Sequence, residues 1–178
     1  MEEKYCYQYP RPAVTTDCVI FGFDGQKLQV LLIERGGEPF KGRWAFPGGF
    51  LNMDETVEEC AARELEEETG MKDVFAEQFH AFSAVDRDPR GRTITVAFYA
   101  LVDPRGMKVS GQDDAADARW YDILEMPSLA FDHEDMFRKA LQQLKVKVYL
   151  QLSGFEQPDK RFAAFDLKRV QTLIPDKI

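Results

Sequence analysis

No part of this 178-residue chain constrains the fold more than residues 56–69. Their apolar side chains recur at helical spacing, and Thr56 with Glu59 forms the pattern in which a threonine and a glutamate cap each other's backbone at a helix start. Gly70, free to turn left-handed, marks the stop. The helix so predicted carries six glutamates. At 100° per residue with Val57 at the origin, Ala61 falls at about 40°, Leu65 at about 80° and Cys60 at about 300°, which defines the inward face. Glu68 at about 20° and Glu64 at about 340° lie on that face, Glu67 at about 280° lies beside it, and Glu66 at about 180° lies opposite. Unpaired carboxylates on a packed face are unfavourable, and like charges four residues apart repel. The helix has no matching row of Lys or Arg. A hard divalent cation resolves the conflict, because Mg²⁺ takes one or two carboxylates together with substrate phosphates.

The rest of the chain supplies a sheet and a second helix. Residues 13–23 and 28–34 are rich in β-branched and aromatic side chains, with Asp24-Gly25 between them as a hairpin signal. Residues 36–49 hold five glycines and two prolines and read as largely loop. Residues 74–85 and 92–102 read as strands joined by the polar stretch Asp86 to Gly91, and residues 118–121 as a shorter strand. Asp132 is placed to cap a helix on which Phe137, Ala140, Leu141, Leu144 and Val148 share a face. The end of that helix stays open, since Val146, Val148, Leu150 and Leu152 also alternate with period two. The domain is expected over residues 11–151, after an arm at 1–10 and before a polar extension at 152–178 with no assigned role.

Charge and cysteine content narrow the function classes. A net charge of −8 disfavours nonspecific binding to nucleic acid or anionic membranes, yet a bound metal can reverse the field locally for a small anion. Three cysteines without CxxC spacing read as reduced thiols of a cytoplasmic protein. The start Met1-Glu2-Glu3-Lys4 is no secretory signal, and no run approaches the ~18 apolar residues of a membrane span. His80 and His133 are too far apart in sequence to suggest a zinc site.

Gly49, five residues, Glu55, seven residues and then Arg63-Glu64-Leu65-Glu66-Glu67-Glu68-Thr69-Gly70-Met71 resemble the Nudix box from end to end. At about 7% usage per residue type, seven fixed identities coincide at roughly 10⁻⁸ per start position, which rules out chance. The resemblance implies an α/β fold in which a mixed β-sheet is sandwiched between helices. It also implies Mg²⁺-dependent attack of water on the diphosphate of a nucleoside diphosphate derivative, with Mn²⁺ as the alternative ion. Glu64, Glu67 and Glu68 match the family's metal positions. Arg63 matches the arginine that orients a glutamate, either Glu55 or Glu67. Gly48 and Gly49 match the loop whose backbone meets metal or phosphates. The proton acceptor stays open between Glu64 and an acid of a later loop, Asp113 or Asp114, which also read as turn or cap residues.

The flanks Tyr9-Pro10-Arg11-Pro12-Ala13, Glu38 to Phe50, Arg87-Asp88-Pro89-Arg90-Gly91-Arg92 and Leu129-Ala130-Phe131-Asp132-His133 resemble the ADP-ribose pyrophosphatase branch. That resemblance implies cleavage of ADP-ribose to AMP and ribose 5-phosphate, and a homodimer. Arg11, Arg35, Arg87, Arg90 and Arg92 are candidates for phosphate or ribose contacts, because guanidinium forks fit phosphate oxygens. Phe21, Phe50 and Tyr99 are candidates for stacking on adenine, and His133 is expected to cap or pack at a helix start. Tyr5, Tyr7 and Tyr9 either enter the dimer interface or fold back on the domain. The same flanks occur in regulators that join a Nudix-like domain to a winged helix, which is the alternative reading. The acidic charge weighs against it, as do the 25 residues after Ser153, fewer than a winged helix takes.

Overall fold

The computed structural model describes residues 7–175. The strands are β1 (Ala13–Phe23), β2 (Leu28–Arg35), β3 (Trp44–Ala45), β4 (Gly48–Phe50), β5 (Glu77–Phe82), β6 (Thr93–Val102) and β7 (Ala115–Asp122). The helices are α1 (Val57–Thr69), α2 (His133–Ser153) and α3 (Leu167–Leu173). The strands form one seven-stranded mixed sheet, in which β1 runs parallel to β6 and the other strand pairs are antiparallel.

Period-two alternation divides the core between two helices. Cys18 and Ile20 of β1, Leu31 of β2, and Phe98 and Ala100 of β6 pack with Ala61 and Leu65 of α1. Val19, Phe21 and Phe23, Val30 and Leu32, and Ala97 and Tyr99 point the other way, toward Met136, Ala140, Leu141, Leu144 and Val148 of α2. The sheet is therefore sandwiched between helices, as the resemblance implies.

One feature of β1 creates room for a site. One edge of β1 is covered by β6, while the other is divided. There β2 pairs with Phe21–Phe23 and β4 pairs with Thr15–Asp17. The two neighbours part at Asp17 and Cys18, where the Cys18 amide reaches the Pro47 carbonyl at 2.8 Å.

Several sequence boundaries move. The glycine-rich stretch contains β3 and the start of β4. The strand expected over 74–85 is confined to Glu77–Phe82, because Val74 and Ala76 pack on the α1 side without pairing. The strand expected over 118–121 extends to Ala115–Asp122. The ambiguous stretch 146–152 is helical and continues α2 to Ser153. After α2 the chain folds back, and Phe162, Val170 and Ile174 enter the same core as α2. Tyr5 and Cys6 of the expected arm lie outside the described residues, while Tyr7 and Tyr9 are exposed. Among the described residues no helix is long and apolar enough to cross a membrane.

Candidate active site

The capping box fixes where α1 begins. Glu59 N donates to Thr56 Oγ1 at 3.2 Å, and Thr56 N donates to Glu59 Oε2 at 2.8 Å. Gly70, at φ 76°, ends the helix with its amide on the Glu66 carbonyl. With the ends set, burial of Cys60, Ala61 and Leu65 sets the rotation and turns the glutamates toward a cavity of about 400 Å³. Glu68 is 6% exposed, and its Oε2 accepts from the Gly48 amide at 2.8 Å. Burial pushes its carboxyl up to about 8, the Gly48 bond pulls the other way, and the charges of Glu64 and Asp17 add to the rise. Glu64 is half-buried and is also raised by burial, against the pull of Arg63. Glu67 is the most exposed of the three.

Arg63 gathers the acids around it. Its Nε and Nη2 fork onto Glu55 at 2.9 and 2.6 Å, and its Nη1 donates to Glu64 Oε1 at 2.8 Å and Glu67 Oε2 at 2.9 Å. The sequence left Glu55 and Glu67 as alternative partners, and Arg63 holds both together with Glu64. The hydrogen bonds from Arg63 lower Glu55 to about 2.

Gly48 and Gly49 permit close approach. A Cβ at Gly49 would lie 2.3 Å from Glu64 Oε1, and one at Gly48 would lie 2.1 Å from the Thr16 carbonyl oxygen. No side chain larger than hydrogen fits at either position without displacing β1 or the Glu64 carboxylate.

Arginines form a second wall of the same cavity. Arg35, at the end of β2, donates from Nε to the Pro39 carbonyl at 2.8 Å and has no salt bridge among the described residues. Burial lowers its pKa, and the charge of Arg90 lowers it further. Arg87 is buried and forks onto Asp132 at 2.9 and 2.7 Å. Arg90 forks onto Asp88, its guanidinium 4.9 Å from the Phe50 ring and 5.7 Å from the Phe131 ring. The Arg35 guanidinium stands 4.9 Å from the Phe131 ring.

Deeper in the cleft lies a pair that sequence reasoning did not connect. Asp17 Oδ1 lies 3.5 Å from His133 Nε2, and Asp17 Oδ2 accepts from the Thr95 hydroxyl. Burial pushes Asp17 up to about 7 and His133 down to about 3, the latter helped by the charges of Arg87 and Arg35. A lone carboxylate within the apolar run of β1 was the available signal for Asp17. His133 does pack at a helix start, but it also reaches into the cavity wall.

The remaining candidates separate cleanly. Phe50 lines the cavity, whereas Phe21 and Tyr99 belong to the core. Arg11 lies outside the cavity lining, its guanidinium 3.9 Å over the Tyr7 ring, and Arg92 is occupied by the carbonyls of Ala84 and Thr93. Asp113 and Asp114 stand on the cavity rim, in a loop tied to the end of α1 by Gln112 N on the Glu68 carbonyl at 3.3 Å. Asp88, Phe131 and Asp132 were not singled out as site residues, since their roles depend on contacts across the fold.

The carboxylate wall suits a hard divalent cation by donor chemistry. It offers only oxygen, and buried Glu68 has the Gly48 amide as its hydrogen-bond donor and, among the described residues, no ion pair. Among the described residues no three acids already converge as a ligand cluster, and Arg63 Nη1 stands between Glu64 and Glu67.

Residues 11–142 match the family model for the NUDIX domain. The chain is 41% identical over 130 residues to the ADP-ribose pyrophosphatase of Methanocaldococcus jannaschii, an alignment covering 73% of each protein. It is 36% identical over 143 residues to the ADPR responsive transcriptional repressor NtrR of Acinetobacter baylyi, covering 78% of this chain and 57% of the repressor. Among solved structures, the NUDIX domain of Shewanella oneidensis NrtR complexed with ADP ribose superposes with a TM-score of 0.70 at 34% identity, over 76% of this chain and 90% of that one.

Proposed function

The chain belongs to the Nudix family as a pyrophosphohydrolase, and from that premise we propose that it hydrolyses ADP-ribose to AMP and ribose 5-phosphate with Mg²⁺, or Mn²⁺, held by Glu64, Glu67 and Glu68. The observation that carries this reading is one cavity lined both by the α1 carboxylates and by Arg35, Arg87 and Arg90. A cavity of about 400 Å³ is of the size that takes a small organic ligand. When bound, the divalent ion supplies positive charge to the diphosphate oxygens and acidity to water.

The chain's own residues do the rest. Arg35 and Arg90 bind phosphate or ribose oxygens, and the Gly48 and Gly49 backbone lets the diphosphate approach α1 closely. Phe50 offers its ring for adenine. Arg63 orients Glu64 and Glu67, and Glu55 fixes Arg63. Water oxygen forms a bond to phosphorus, the bridging P–O bond breaks, and the water proton passes to a carboxylate, either Glu64 or Asp113 or Asp114 from the rim. A homodimer acting in the cytoplasm completes the reading. It agrees with two buried free thiols, Cys18 and Cys60, and is checked by light scattering of the full chain at low micromolar concentration.

The test is a panel of nucleoside diphosphate derivatives with Mg²⁺, products identified by mass. ADP-ribose should lead, and a nucleoside triphosphate with about tenfold higher kcat/KM would move the assignment to another substrate. The likeness to an ADPR responsive repressor supports a second reading, ligand sensing. A gel shift at physiological salt that responds to ADP-ribose, with no turnover, would select it.

A further inference from the structure

Asp132 at the N-cap of α2 and His133, its first residue, make no hydrogen bond or ion pair to Glu64 or Glu68, yet they connect to both walls of the cavity. Asp132 stands at the N-cap of α2, but its side chain makes no capping hydrogen bond. Both its oxygens go to Arg87 instead, at 2.7 and 2.9 Å, so the helix forgoes the stabilisation that a capping aspartate gives. His133 follows, with Nδ1 accepting from the Phe46 amide at 3.0 Å and its ring stacked on Phe46 at 5.4 Å and 12°. With Nδ1 an acceptor, a neutral ring carries its proton on Nε2, which faces Asp17. Phe46 lies two residues before Gly48, whose amide holds Glu68.

Phe131, just before these two, adds an independent sign. Its φ is 52°, a left-handed conformation that a bulky side chain adopts only when its surroundings force it. The ring lies close to both Arg35 and Arg90. Phe131 and Asp132 thus forgo local stability, and Asp132 and His133 make contacts reaching 45 and 87 positions along the chain.

We propose that Asp132 and His133 are positioning residues that set the gap between the two walls. Asp132 acts on the arginine wall through Arg87, and His133 acts on the glutamate wall through Phe46 and Gly48. The arginine wall holds substrate and the glutamate wall serves the reaction, so the two residues divide their effects between KM and kcat. Only this kinetic division rests on the hydrolase reading. The mechanical link does not.

The variants are Asp132→Asn, His133→Phe and His133→Asn. Asp132→Asn keeps size and one acceptor but leaves Arg87 without its anion, so KM for ADP-ribose should rise about tenfold with kcat within about twofold. His133→Phe keeps the stack but removes the acceptor, so kcat should fall about tenfold or more with KM within about twofold. His133→Asn places an amide oxygen near the Nδ1 position and should recover most of the lost kcat. Hydrogen exchange on the full chain supplies a readout that needs no turnover. His133→Phe should speed exchange in peptides covering residues 46–49, and Asp132→Asn in those covering residues 87–90, with α1 unchanged.

If both variants lower kcat and KM effects follow no division, or exchange rises uniformly, the residues are merely structural and the proposal fails. Absence of rescue by His133→Asn overturns the role of His133. If His133→Phe does not fold, His133→Asn and Asp132→Asn still decide by their exchange patterns. A wild-type chain inactive on ADP-ribose would defeat the function proposed above, while the exchange arm would still judge the positioning role.

Discussion

The Glu64 carboxylate lies against the bare Cα of Gly49, so that a Cβ there would sit within 2.3 to 2.5 Å of all three carboxylate atoms. The contact joins the loop before α1 to the helix itself. It predicts that Gly49→Ala displaces Glu64 and lowers kcat by roughly a hundredfold, since a misplacement of about 1 Å has that effect. Steady-state kinetics with thermal melting checks this, and a folded Gly49→Ala protein with wild-type kcat would refute it.

Metal dependence follows from the excess of acids over cations on α1. Chelation with EDTA should abolish activity, and Mg²⁺ or Mn²⁺ should restore it. Glu67→Gln and Glu68→Gln should each lower kcat by about 10² or more. Glu66, which faces solvent and pairs with Lys72 at 2.6 Å, should tolerate the same change with nearly full activity. Equal losses at all three positions would contradict the assignment of helix faces.

The segment after α2 should behave as part of the domain. Phe162 is 5% exposed and sits in the α2 core, so Phe162→Ala should cost about 3 kcal/mol and lower Tm by roughly 6–12 °C. Phe155, 76% exposed, should change stability by less than about 0.5 kcal/mol when replaced by Ala. Differential scanning calorimetry distinguishes the two, and a silent Phe162→Ala would place residues 152–178 outside the domain.

Asp17 and His133 should oppose one another in the acid limb of stability. Asp17, raised to about 7, binds a proton in the folded state that the unfolded chain releases down to about 3.9, so it adds stability as pH falls below 7. His133, lowered to about 3, refuses a proton that the unfolded chain accepts near 6.5, so it removes stability as pH falls through that value. Wild type should therefore be flatter between about pH 6.5 and 4 than Asp17→Asn, which keeps only the destabilising partner. Urea melts across this window are the check, and parallel pH profiles for the two proteins would be inconsistent with the pairing.

The contrast between these predictions reflects which contacts were local. The α1 glutamates and the capping box span at most a few turns of chain, so spacing exposed them, while the pairing of Arg63 with Glu55 or Glu67 came from the resemblance to the Nudix box. The Arg87–Asp132 fork joins residues 45 positions apart, and the Phe46–His133 bond joins residues 87 apart. No periodicity marks such pairs, because they exist only once β1 has divided its edge between β2 and β4. Arg11 misled for the related reason that a guanidinium's suitability for phosphate says nothing of where the chain carries it. The docking of Phe162 and Val170 escaped notice because a short helix in a polar stretch has too few apolar residues to show a period.

Arg63 also separates two events that many metalloproteins fuse. A zinc finger without its ion has nothing to hold its ligands together and unfolds. Here the Arg63 guanidinium bridges Glu55, Glu64 and Glu67 from within the chain, offsetting one of their three charges. The fold is therefore expected to persist without a divalent ion, and an unchanged Tm in excess EDTA is the check. A divalent cation binding at Glu64 and Glu67 would have to compete with this resident charge, so occupancy is expected to track the free ion concentration around the protein.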